Sequence, residues 1–125
     1  WRAMSIIRQL PKLEVLKLRE EAFRGKRWDM TPEEEEFCNL KYLELSNLNL
    51  RQWSVAYDPF PCLEQLVVGD CYRLVEIPHC FERVTTLQMI ELCRCSDRVK
   101  SLAEVILKKQ RDWGNYELEL LISDS

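Results

Sequence analysis

Between Phe60 and Pro78 the apolar residues fall at Phe60, Leu63, Leu66, Val68, Cys71, Leu74 and Ile77. Steps of three dominate, and they fit neither a helix, with its period of about 3.6, nor a long strand, with its period of about 2. Only Leu66 and Val68 alternate as strand residues do. A chain with this spacing is expected to wind once around a narrow apolar core. It lays down one short strand and then returns by a tight loop. One such turn cannot bury its own apolar row, so further turns must stack against it.

The same spacing recurs on both sides. It appears in Leu10, Leu13, Leu16 and Leu18, and again in Phe37, Leu40, Leu43, Leu45 and Leu48. It returns in Val84, Leu87, Ile90, Leu92 and Cys95. The central residues Leu16, Leu43, Leu66 and Ile90 stand roughly 23 to 27 apart, inside the about 20–29 of the leucine-rich repeat that this pattern resembles. The expected fold is therefore an α/β repeat solenoid: a horseshoe fragment with short parallel strands on its concave side. Strands are expected near Glu14–Arg19, Lys41–Ser46, Gln65–Gly69 and Gln88–Cys93.

After Cys95 the pattern changes. Ser96 and Asp97 can start a helix that runs to about Asp112, with Val99, Leu102, Ala103, Ile106 and Leu107 on one face. Lys108, Lys109 and Arg111 suit its C-terminal end, and Gly114 suits its stop. Tyr116–Ile122 then alternates as a last strand with Leu118, Leu120 and Ile122 inward. The expected organisation is repeats over 1–95 and a closing helix-plus-strand cap over 96–125, with Ser125 near the natural end of a longer parent. Elsewhere, residues 1–12 are expected as a return segment, Trp28 as a cover over the core's edge, and Thr31-Pro32 as a helix start.

A chain of 125 residues with 46% apolar content has room for one core, and a net charge of −3 offers no general attraction to nucleic acid. No apolar run approaches a membrane span. The six cysteines include no C-x-x-C pair, and Cys71 and Cys95 share one position in the pattern, as do Cys38 and Cys62 nearly. Buried free thiols are expected for at least four of them, with no metal bound. An enzyme is not expected. The only histidine, His79, sits beside Cys80 at the end of a turn, where adjacent side chains rarely converge as nucleophile and base.

In Leu-x-Leu strands the leucines face the core and the residues between them face outward. That alternation nominates a protein-binding face in three columns. The first holds Val15, Tyr42, Gln65 and Met89, and the second holds Lys17, Glu44, Val67 and Glu91. The third holds Arg19, Ser46, Gly69 and Cys93. Glu117 is expected to extend the first column and Glu119 the second. Lys17 beside Glu44 is expected as a cross-strand pair, and Lys17 with Arg19 as the contacts for acidic groups of a partner.

Longer words point to a family. Ala22-Phe23-x-Gly25-x-x-Trp28, Phe37-x-x-Leu40-Lys41-x-Leu43, Phe60-Pro61-x-Leu63-Glu64-x-Leu66-Val67 and Thr86-Leu87-x-x-Ile90-Glu91-Leu92, with Gly114-Asn115 before the last strand, run in an order that spans nearly the whole chain. With the Cys71-x-x-Leu74-x-x-Ile77-Pro78 ending, the sequence resembles the C-terminal leucine-rich-repeat region of plant coiled-coil nucleotide-binding immune receptors of the late-blight-resistance type. The resemblance implies a cytoplasmic interaction surface. It would sense a pathogen effector or a guarded host protein, or would hold the receptor's own nucleotide-binding domain inactive. ADP or ATP would belong to that absent domain, since this chain has no phosphate-binding G-x-x-x-x-G-K-[ST] loop. The competing reading is the substrate-binding leucine-rich arm of a ubiquitin ligase adaptor.

Overall fold

A computed structural model describes residues 14–19, 27–30, 38–55 and 60–123 of the chain. Its strands are β1 (Val15–Arg19), β2 (Arg27–Met30), β3 (Tyr42–Ser46), β4 (Gln52–Val55), β5 (Gln65–Gly69), β6 (Met89–Cys93) and β7 (Glu119–Ser123), with one α-helix, α1 (Asp97–Asp112), between the last two. β1, β3, β5, β6 and β7 form a five-stranded parallel sheet in that order, and β2 pairs with β4 in a separate parallel sheet of two. The expected return over residues 1–12 and the helix start at Thr31-Pro32 lie outside the described residues.

The larger sheet is built on the alternation of its strands. Leu16 and Leu18, Leu43 and Leu45, Leu66 and Val68, and Ile90 and Leu92 point one way and are buried. In the pairing, Leu16 lies opposite Leu43, Leu43 opposite Leu66, and Leu66 opposite Ile90. The core thus continues from strand to strand without a step. Leu40, Leu63, Leu74, Leu87, Phe60 and Phe81 fill the space behind it.

Connections between parallel strands leave backbone groups that need partners. At the strand starts one carbonyl serves two amides: Glu14 O accepts from Lys41 and Tyr42, Lys41 O from Glu64 and Gln65, and Glu64 O from Gln88 and Met89. At the strand ends Asn47, Asp70 and Arg94 adopt left-handed backbone with φ of 55°, 53° and 52°. Each turns its N–H onto the next strand, to Gly69 O, Cys93 O and Ser123 O at 2.8–2.9 Å. Asn and Asp tolerate this conformation better than other side chains. Arg94 is held there by Asp70 as well.

Side chains answer the remaining carbonyls. The Cys95 thiol donates to Val68 O, the Thr86 hydroxyl to Leu63 O, and the Ser96 hydroxyl to Leu74 O. Gln110, fully buried on α1, donates to Phe81 O at 2.7 Å and Val84 O at 2.8 Å. Asn115 donates to Leu87 O at 3.0 Å. The helix follows its expected bounds. Ser96 accepts from the Val99 N–H as its cap, Val99, Ala103 and Ile106 are buried, and Gly114 follows at φ 97°.

Four expectations are corrected. β7 is Glu119–Ser123 rather than Tyr116–Ile122, and it pairs Glu119 with Met89 and Leu121 with Glu91. Glu119 therefore extends the first outward column, Leu121 the second, and Glu117 lies outside the strand. Leu120 and Ile122 share the inward side with Ile90 and Leu92, yet Leu120 is half-buried and Ile122 is exposed, because β7 is an edge strand among the described residues. The small β2–β4 sheet has no counterpart in the sequence reading. It sets Trp28 flat on Trp53, with centroids 5.3 Å apart and planes within 4°, so Trp28 is a buried strand residue. Finally, Cys38 and Cys62 are exposed rather than buried, because each lies on the outer turn that precedes its strand.

Candidate functional site

All twelve residues that alternation sets in the three columns of β1, β3, β5 and β6 lie on one side of the five-stranded sheet, and none is buried. The first column runs Val15, Tyr42, Gln65, Met89, Glu119, and the second runs Lys17, Glu44, Val67, Glu91, Leu121. Arg19, Ser46, Gly69, Cys93 and Ser123 make the third. Sequence reasoning missed Leu121, which is 45% exposed on β7 at the end of this face.

The charges at the β1–β3 end are arranged differently from expectation. Lys17 is the register partner of Glu44, but Arg19 holds that carboxylate, with Nη2 2.9 Å and Nε 3.0 Å from Oε2. The Tyr42 hydroxyl donates to the other oxygen at 2.8 Å. Lys17 Nζ instead stands 5.5 Å from the centre of the Tyr42 ring, a cation–π contact. Two N–H donors of a guanidinium suit a carboxylate better than one ammonium, which explains the exchange. Burial pushes the Glu44 carboxyl up, but the Tyr42 hydroxyl and Arg19 outweigh it and hold it below the ordinary value. Burial and the adjoining Glu44 raise the Tyr42 hydroxyl to about 12.

Next to this face, past the strand ends, Arg94 grips Asp70 through two nitrogens, one of them at 2.9 Å, and the Tyr72 hydroxyl donates to the same carboxylate at 3.1 Å. The Arg94 bond holds the Asp70 carboxyl below its usual range. Arg19, Glu44, Ser46, Asn47, Asp70 and Tyr72 line an open polar concavity of about 540 Å³ here. Its carboxylates are already matched by arginines, so it has the character of a rim.

The lowered Glu44 and Asp70 values fix a pH dependence. Both carboxyls titrate lower in the folded chain than in the unfolded one, so the unfolded state takes up protons first as pH falls. The stability they contribute is present above their ordinary pKa values near 4 and is lost as pH drops through the folded ones. Melting temperature should fall steadily as pH drops below about 4, and Asp70→Asn should flatten that slope. A slope unchanged by Asp70→Asn, measured by circular dichroism, would contradict the assignment.

The thiols separate into two classes. Cys71 and Cys95 are buried, and burial raises both, Cys95 to about 11. Cys38 and Cys62 are exposed. Because the thiolate is the reactive form, native alkylation at pH 8 should modify Cys38 and Cys62 roughly tenfold or more faster than Cys71 and Cys95. Time-resolved mass spectrometry reads this directly, and equal rates at all four would contradict the core placement. Among the described residues no group of three or more His, Cys, Asp or Glu is placed to hold a metal. His79 is exposed in the 3-10 turn His79–Glu82, with Nδ1 3.6 Å from Glu82. No helix among the described residues is long and apolar enough to cross a membrane.

No protein-family model matches the chain. Among curated sequences it is 42% identical over 115 residues to the late blight resistance protein homolog R1B-13 of Solanum demissum, covering 90% of this chain and 10% of that protein. The homologs R1B-12 and R1B-16 from the same plant are 41% and 40% identical over 115 residues, and there this chain spans 8% and 9% of their lengths. The chain thus spans about a tenth of the length of the curated relatives it matches. At this level of identity across nine-tenths of its length, the chain belongs to the late-blight-resistance type of plant resistance proteins.

Proposed function

We propose that this chain is a stretch of leucine-rich-repeat solenoid in a plant nucleotide-binding immune receptor, and that the outward face of its five-stranded sheet is a protein-interaction surface. On this reading residues 1–95 are the repeats and 96–125 a helix-plus-strand cap. The face senses a pathogen effector or guarded host protein, or holds the receptor's nucleotide-binding domain inactive, in the plant cytoplasm. ADP or ATP would be bound elsewhere in the parent. The chain acts through binding and not through catalysis.

One observation supports this most: the same alternation, in unbroken register, aligns outward side chains from every strand of the larger sheet. Side chains from five strands then form one continuous surface, as in solenoids that bind proteins. The relatives' names, all late blight resistance homologs, supply the biological setting.

The test is a full-length resistance protein carrying this segment, with Tyr42→Ala and Val67→Lys together. Both positions are half-buried on the outward side, so the fold should persist with a loss of about 1 kcal/mol or less for each. The variant should either cause cell death without a pathogen or lose its response to one. Wild-type behaviour in both assays, with normal protein level, would remove the outward face as the working surface.

A further inference from the structure

The outward face has two ends of different chemistry. At β1–β3 the charges answer one another: Arg19 holds Glu44, and Lys17 rests over Tyr42. At β5–β7 they do not. There Val67 and Met89 are half-buried and Leu121 is 45% exposed, giving an apolar ground across three strands. Glu91 stands between Val67 and Leu121 in the pairing, and Glu119 stands beside Met89. Neither carboxylate has an ion pair or a hydrogen bond among the described residues. Nor does a cation of this chain stand beside them in the outward columns of β5, β6 and β7.

We infer that the β5–β7 end of this face docks a protein segment carrying Lys or Arg beside aliphatic or aromatic side chains. The inference rests on the interaction-surface reading above and names the partner's chemistry. Apolar contact with Val67, Met89 and Leu121 would exclude water from the two carboxylates, which favours an opposite charge and strongly disfavours an acidic one. An acidic partner would also find no free arginine at the other end, since Arg19 is engaged. The charge expectation from sequence, an acidic partner at Lys17 and Arg19, is therefore replaced by a basic one at Glu91 and Glu119.

The experiment titrates the isotope-labelled 125-residue chain with three synthetic peptides of equal length, alternating Leu/Lys, Leu/Glu and Ser/Lys. The Leu/Lys peptide should shift the amides of Val67, Met89, Glu91 and Leu121, and should bind at least about tenfold tighter than the other two. The double variant Glu91→Gln with Glu119→Gln should keep the remaining spectrum and lose about tenfold in that affinity. Equal affinity of the double variant would overturn the inference. Preferential binding of Leu/Glu at Lys17 and Arg19 would also overturn it, while leaving the interaction-surface reading standing. No shift on the outward face with any peptide would overturn it too, and the full-length receptor assay would then decide the wider reading alone.

Discussion

Leu66→Asp should abolish cooperative folding. Leu66 is fully buried in β5, the central strand of the sheet that pairs with both β3 and β6, and its register partners Leu43 and Ile90 are fully buried too. Removing a buried leucine costs about 3–5 kcal/mol, through the transfer energy of its apolar surface and the cavity it leaves. Placing a carboxylate there adds the cost of burying a charge with no partner. Together these approach the whole stability of a small domain, about 5–15 kcal/mol. The neighbouring change Val67→Lys is the control. One residue along the strand the side chain faces outward, between Glu44 and Glu91, and the variant should melt as cooperatively as the parent. A soluble Leu66→Asp chain with a melting temperature within about 5 °C of the parent's would show that the inward and outward sides have been exchanged.

The second large effect belongs to Trp53→Ala. Trp53 is fully buried, lies flat on Trp28, and meets the edges of Phe81 at 5.4 Å and Phe60 at 6.4 Å. Phe60 and Phe81 stack at 5.7 Å. The Trp53 ring therefore joins the β2–β4 sheet to the segments that lead into β5 and β6. A large aromatic cut to alanine in a core costs about 3–5 kcal/mol, and each well-formed aromatic pair that disappears adds on the order of 0.5–1.5 kcal/mol. Urea unfolding should show a lower midpoint with an unchanged slope, and Trp53→Phe should recover part of the difference. A destabilisation below about 1 kcal/mol would mean that the small sheet does not pack as described.

How much of this is legible in the sequence follows from which physical signal each element carries. β1, β3, β5 and β6 each hold a pair of apolar residues separated by one outward residue, so both the strand and its facing side can be read. Their mutual register can be read because the apolar residues leading into each strand recur with it. β7 carries only alternation. Leu118, Leu120 and Ile122 give the correct facing, but a period of two cannot distinguish a strand from the same strand slipped by two residues. Alternation alone therefore sets Glu119 beside Glu91, where the pairing places Leu121.

Gln110 carries a signal that its polarity conceals. It follows Val99, Ala103 and Ile106 at helical spacing, which puts it on the buried face despite Lys109 and Arg111 on either side. The β2–β4 pair carries a weaker one, since Arg27–Met30 and Gln52–Val55 alternate polar and apolar over only four residues each and their strand form depends on the pairing. The Arg19–Glu44–Tyr42 arrangement lies beyond sequence reasoning as well. Strand register places Lys17 opposite Glu44, and side-chain reach decides between two cations.

The register of β7 against β6 bears most directly on the claim that these strands compose one outward face with an apolar ground at its β5–β7 end. Cross-strand nuclear Overhauser contacts in the labelled chain measure it. The account predicts contacts of Glu91 with Leu121 and of Met89 with Glu119, with Leu121 methyls shielding one side of Glu91. Contacts pairing Glu91 with Glu119 would contradict it, because that register sets two carboxylates side by side and moves Leu121 away from Val67 and Met89.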